Sequence, residues 1–245
     1  MSTGRSRFAN NDGVAIHYVD ATPPVCRGDV PVLFVPGMTD VAADYSTMAE
    51  LLGRRTIVVE LRGHGCSDAP SDGYRFDDHV ADIAAVADDG GVSEVLVMTF
   101  SRGTCYALGW VARNPRRVRS LSIGDYPARE IAIPPPIADR LLAGTWRGTP
   151  VFDRIDARAT RRMFEAAQHR PLWHVLGGLA APTLVVRSGA GVPVTDDDWK
   201  LYAAVAHAVE RHHFEDSPHD IFRPDRARYP HLVADLCDRA ELASP

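Results

Sequence analysis

The chain reads as an α/β protein built on a mainly parallel central sheet. Short runs rich in branched apolar residues alternate along it with segments of helical period. Most of these runs are apolar on both faces, as strands covered by helices above and below must be. With 245 residues, 45% of them hydrophobic and 24% charged, the chain is also large enough to bury a sizeable core.

The first element, Val14–Val19, follows Asn10-Asn11-Asp12-Gly13, a turn signal, and reads as an antiparallel edge strand. Val30–Val35, Thr56–Glu60, Val95–Thr99, Val118–Ile123 and Thr183–Arg187 read as interior parallel strands. Between them, Phe76–Val86 places Val80, Ile83, Ala84 and Ala87 on one helical stripe, and the run from Cys105 to Ala112 is helical directly after the Val95 strand. Thr195 followed by Asp196, Asp197 and Asp198 matches a Ser/Thr-x-x-acid helix start, with Leu201, Val205, Ala208 and Val209 as its apolar stripe. His212–Phe214 is a short strand candidate. Tyr229–Leu242 closes the series with Leu232, Val233, Leu236 and Cys237 on one side.

The segment 126–178 breaks this rhythm. It starts with Pro127, carries Pro134-Pro135-Pro136, and scatters Trp146, Phe152, Phe164 and Trp173 over a length far beyond the ~2–6 residues of a usual strand-to-helix connection. It reads as an inserted helical cap above the sheet edge, between a core made of 1–125 and 179–245.

Net charge is −5, with 32 acidic and 27 basic groups and no basic block, so nothing draws nucleic acid or an anionic membrane. The expected partner is a small molecule; oligomeric state leaves no trace at this level. The longest stretch without Asp, Glu, Lys or Arg, Pro171–Val186, is interrupted by His174, Gly177, Gly178 and Pro182 and is too short for a membrane span. The first dozen residues lack the apolar run of ~7–15 that a secretory leader uses, so a cytoplasmic location is expected. Cys26, Cys66, Cys105 and Cys237 form no CxxC pair and read as reduced packing residues rather than a zinc site. No Gly-rich phosphate loop and no helical ligand spacing around His212 and His213 calls for a cofactor or metal.

The chemistry concentrates at Thr99-Phe100-Ser101-Arg102-Gly103, a serine between a strand and a helix. On such a sharp turn the hydroxyl is exposed as a nucleophile; Gly103 fits the pattern, whereas Thr99 stands where a glycine is usual. Three further motifs accompany it: Val35-Pro36-Gly37-Met38, the run from Glu60 through Arg62-Gly63-His64-Gly65 to Asp68, and Ser217-Pro218-His219-Asp220. Together they resemble the α/β-hydrolase superfamily from about Asp12 to the C-terminus, the cap apart. Proline replaces histidine in the first of these loops, and Glu60 replaces aspartate in the second.

That resemblance implies the α/β-hydrolase fold and a serine enzyme. Ser101 is the expected nucleophile and His219 the base that takes its proton. The backbone N–H groups of Arg102 and Met38 are the expected oxyanion donors. Gly37 and Trp146 are placed against the substrate. The acid of the triad departs from the commonest pattern: Ser188–Val194, after the late strand, has no carboxylate. Asp125, at the end of the strand after the nucleophile helix, is the first choice and Asp196 the second. The Arg102 side chain is expected to pair with a surface acid. The expected activity is cleavage of an ester, lactone or thioester of a small apolar substrate; the alternatives are a lyase, cyclase or proton-transfer enzyme, or a binding protein that keeps the triad without turnover.

Overall fold

The computed structural model describes residues 4–189, 193–206 and 208–242, so 190–192 of the loop lacking a carboxylate lie outside the described residues. The chain opens with a hairpin of β1 (Arg5–Asn11) and β2 (Val14–Ala21), closed by Asp12 and Gly13 at φ 49° and 89°, the left-handed pair that a two-residue hairpin turn requires. There follow β3 (Val32–Val35), α1 (Met48–Leu52), β4 (Thr56–Val59), α2 (Phe76–Asp89), β5 (Val95–Phe100), α3 (Gly103–Arg113) and β6 (Val118–Gly124). The next stretch holds β7 (Arg129–Glu130), α4 (Pro135–Leu142), β8 (Thr145–Trp146), β9 (Thr149–Pro150), α5 (Ala157–Ala166), β10 (Arg170–Pro171) and α6 (Trp173–Gly178). The chain then returns to the sheet with β11 (Thr183–Ser188), α7 (Asp196–Val205), β12 (Val209–Phe214) and α8 (Arg228–Leu242).

Eight strands form one sheet in the order β1-β2-β4-β3-β5-β6-β11-β12, antiparallel in its first three and parallel in the rest. One face is covered by α2, α3 and α6 with Tyr202 of α7, around Trp110, Leu121 and Val185. The other is covered by α1 and α8, around Phe34, Tyr45, Phe100, Phe222 and Tyr229. Arg54, buried to 1% of its side chain, ties α8 down through Asp238 and Glu241. Among the described residues no helix is long and apolar enough to cross a membrane.

The Val14 strand is antiparallel as expected, but β1 lies outside it and takes the edge. An edge strand buries little: Ala9 is the one buried residue of β1, and Phe8 is half exposed, so its sequence carries almost no apolar period. Pro31 has no N–H for the ladder, and β3 starts after it. On α7 Asp198 and Tyr202 are buried and Trp199 and Val205 pack on the core at its edge; Leu201 of the expected stripe is exposed and Val209 opens β12. His17 and His79 are buried, and His79 stacks on Tyr106 at 4.1 Å. Cys105 and Cys237 are buried, whereas Cys26 and Cys66 are exposed; all four are free.

Between β6 and β11, β7 pairs with β10 and closes the base of a loop-out that contains α4, the β8–β9 hairpin and α5. Its small core of Ala138, Ala159, Met163 and Phe164 receives Met38 from the sheet edge below. Val175 and Leu176 of α6 instead join the main core.

At Gly103 the first turn of α3 presses closely on the backbone at the end of β3. A Cβ there would stand 2.0 Å from the Pro36 carbonyl oxygen and 2.6 Å from that of Val35, so α3 could not approach β3. Gly103→Ala is expected to cost about 1–3 kcal/mol in urea unfolding. Gly178→Ala, with open space around the new methyl group, is expected to leave the midpoint unchanged or raise it; equal losses in the two variants would contradict this account.

Candidate active site

β5 delivers Ser101 at a φ of 49°, a left-handed conformation that an L-residue adopts at a cost of order 1 kcal/mol and keeps only where its surroundings enforce it. The Ser101 N–H donates to the Gly124 carbonyl at 2.8 Å, which carries the ladder with β6 one step past the strand end. Thr99 is tolerated in the glycine's place because its hydroxyl lies against the Thr104 hydroxyl at 2.8 Å and the Ser122 carbonyl at 3.1 Å. A buried hydroxyl with two partners carries no desolvation deficit.

Ser101 Oγ lies 2.8 Å from His219 Nε2, and His219 Nδ1 lies 2.7 Å from Asp125 Oδ2. A carboxylate oxygen accepts, so Nδ1 carries the proton and Nε2 presents its lone pair to the serine hydroxyl. His219 stacks on Phe100 at 5.3 Å and is one-third exposed, open to a substrate on one side. Asp125 is fully buried at a φ of 45°, and its N–H donates to the Val186 carbonyl at 2.8 Å. Its Oδ1 accepts the Ser188 N–H at 2.8 Å. Ser188, which ends β11, thus meets the carboxylate from β6 with a backbone donor. Asp196 lies elsewhere: it is largely exposed at the start of α7 and paired with Arg187 at 2.6 Å, which holds its carboxyl below the usual range.

Gly37 passes directly over the serine. A Cβ on it would stand 2.8 Å from Ser101 Cβ and 3.3 Å from Oγ. Its N–H donates to Asp40 Oδ2 at 2.9 Å. Neither the Met38 N–H nor the Arg102 N–H has an acceptor among the described residues. Trp146 donates from Nε1 to the other oxygen of Asp40 at 2.8 Å, and borders an apolar cavity of about 280 Å³ with Thr39, Ile137, Leu141 and Val151. Asp40 is completely buried, and burial pushes its carboxyl up to about 6 against the opposing pull of Arg147 and Trp146.

The Arg102 side chain does not reach the surface. It is buried to 1% exposure, with Nε to the Tyr106 hydroxyl at 3.0 Å, Nη1 to the Ile131 carbonyl at 3.1 Å, and Nη2 3.6 Å from the buried Glu130. The expected surface pair is therefore an internal one. It arises because β7, closing the base of the loop-out, brings Glu130 over the first turn of α3. Two further residues that no motif marks, Asp40 and Arg147, join the site from distant parts of the chain, with Trp146 beside them 106 residues after Asp40. The acids next to Gly37 and His219 were the available signal, but nothing local names their partner.

His17, Glu60 and Cys66 bring nitrogen, oxygen and sulfur donors within 4.8 Å of one another. Glu60 already accepts from the Ala42 and Cys66 N–H groups at 2.7 Å each and meets His17 Nδ1 at 2.8 Å, while His17 Nε2 meets Ser6 Oγ at 2.7 Å. Its lone pairs are committed to bracing the loop after β4, a role that requires no ion.

A family profile for the α/β hydrolase fold matches residues 30–123, from β3 into β6. The chain is 31% identical over 134 residues, 54% of its length, to a 2-(acetamidomethylene)succinate hydrolase of Mesorhizobium japonicum, and 34% identical over 112 residues, 44% of its length, to a non-heme chloroperoxidase of Streptomyces lividans. These matches span 47% and 40% of the relatives' own lengths, about half or less. Among solved structures, the enol-lactonase from Burkholderia xenovorans LB400 superposes with a TM-score of 0.81 over 94% of this chain and 99% of its own, at 17% identity, a likeness of fold. The strand order, the serine turn between β5 and α3, and the matched stretch lead to one assignment: the chain has the α/β-hydrolase fold, and residues 30–123 match the profile of that fold.

Proposed function

We propose that the protein is a serine hydrolase that cleaves an ester, lactone or thioester of a small, largely apolar substrate through an acyl-enzyme. The single observation that carries this reading is the unbroken line from Ser101 Oγ to His219 to Asp125, at 2.8 and 2.7 Å. Ser101 attacks the carbonyl carbon as His219 Nε2 takes its proton. Asp125, fixed from its other side by Ser188, stabilises the imidazolium. The N–H groups of Arg102, at the start of α3, and of Met38 hold the oxygen that becomes negative; one such donor is worth about 3–4 kcal/mol of barrier lowering. His219 returns the proton to the leaving alcohol or thiol, and water then releases the acid by the same route in reverse.

The segment 126–178 acts in this reading as the cap. The cavity beside Trp146 and Thr39 adjoins the oxyanion loop and accepts the apolar part of the substrate. The enol-lactonase neighbour, named for a lactone, supports this class of bond, and the Mesorhizobium relative, named a hydrolase, supports hydrolysis.

Turnover of p-nitrophenyl acetate tests the assignment of the acid. Asp125→Asn is expected to fold normally and lose about 10⁴-fold in kcat, as an acid that sets the tautomer does in serine proteases. Asp196→Asn is expected to keep wild-type turnover; the reverse pattern would overturn the triad proposed here.

Arg102→Ala probes a different role. Because it removes one of the two guanidinium groups beside the buried Glu130 and leaves Arg170 at 3.5 Å, it is expected to cost about 1–3 kcal/mol of stability in denaturant unfolding. Adding Glu130→Gln should recover a large part of that loss; no recovery would contradict the buried pairing.

A further inference from the structure

The hairpin of β8 and β9 ends in Arg147 and Gly148, at φ 49° and 82°, and this turn drives the Arg147 guanidinium into the sheet edge rather than into solvent. Arg147 Nε and Nη2 donate to the two oxygens of Asp220 at 2.9 and 2.7 Å, a two-pronged pair. Nη2 also reaches the Tyr45 hydroxyl at 3.3 Å, and Nη1 stands 3.6 Å from both Asp40 and Asp44. The rings of Tyr45, Trp146 and Phe222 lie around the guanidinium at 5.0 to 5.6 Å.

Two of these carboxylates belong to the loops that carry the chemistry. Asp220 follows His219 directly in the chain. Asp40 holds the Gly37 N–H and so fixes the loop from which Met38 presents its own. We propose that Arg147 is a positioning residue, a latch by which the hairpin sets the histidine loop and the oxyanion loop at their working distance from Ser101. This rests on the hydrolase reading for its kinetic consequence but not for its structural one.

The alternative is that Arg147 merely fastens the hairpin to the core. The two readings part in what happens to the loops. A fastener lost would free the hairpin alone, whereas a latch lost would loosen 36–41 and 217–222 together. Charge adds a second distinction. Asp40 faces Asp44 and Tyr45 from its own loop and Trp146 and Arg147 from the hairpin, and Arg147 is the chief group favouring its ionised form. Without Arg147 the Asp40 carboxyl moves further up, so more of it is protonated near neutral pH, weakening its acceptance of the Gly37 N–H, and raising the pH restores its charge.

The test compares Arg147→Ala and Arg147→Lys with the wild-type full chain, by amide hydrogen exchange and by turnover of p-nitrophenyl acetate. Arg147→Ala is expected to speed exchange in both 36–41 and 217–222, and to lower kcat by about ten- to a hundredfold with KM within about threefold. The deficit shrinks from pH 7 to pH 9. Arg147→Lys, which keeps the charge without the fork, is expected to recover part of kcat and, if the alanine variant does not fold, to supply the same comparison of exchange. Faster exchange confined to 144–150, with kcat within about twofold of wild type, would overturn the latch. Wild-type chain without esterase turnover would refute the hydrolase reading, and exchange in the two loops would still decide this one.

Discussion

The turn from β5 into α3 is the constraint on which the rest of the site depends. Ser101 holds a left-handed backbone only because its N–H is bonded to Gly124 on one side and α3 is pressed against the carbonyls of Val35 and Pro36 on the other. That approach requires Gly103. It also brings the N–H of Arg102 out at the first turn of a helix, beside the loop of Gly37 and Met38. One packing contact therefore sets both Ser101 and the Arg102 N–H, the proposed nucleophile and one proposed donor to the oxyanion.

The parallel half of the sheet does the remaining alignment. β5, β6 and β11 are neighbours in register, so the residues just past or at their ends, Ser101, Asp125 and Ser188, stand side by side on one edge. The same ladder that continues through the Ser101 N–H to Gly124 continues through the Asp125 N–H to Val186. Asp125 stands just past the end of β6, and at the end of β11 Ser188 contributes a backbone donor to its carboxylate. His219 then has to cross from beyond β12, and Phe100 beneath it and Phe222 beside Phe100 give its ring a floor.

The sheet and the serine turn at its edge were readable from the sequence because both leave local marks. Interior strands such as Val95–Phe100 are buried on every residue, and a serine set between such a strand and Gly103 marks the sharp turn by itself. β1 left no such mark, since an edge strand with one buried side chain needs no period. Arg102 was misplaced for a related reason. A cation after the nucleophile looks like a surface residue until Glu130, 28 positions on, is folded over it by the β7–β10 pair. His79 likewise sits on a helix whose stripe predicts its neighbours, yet the partner that buries it, Tyr106, comes from α3. Long-range pairs of charged and aromatic groups carry no spacing that a single sequence displays.

The central claim is that Ser101 forms a covalent acyl intermediate with this histidine and this acid behind it. Intact-mass spectrometry of the full chain, quenched during turnover of a p-nitrophenyl ester and followed by peptide mapping, tests it directly. The account predicts one acyl group per chain, on the peptide that contains Ser101, absent in Ser101→Ala. An acyl group on Cys66 or another residue, or turnover with no adduct at Ser101 under any quench, would contradict it.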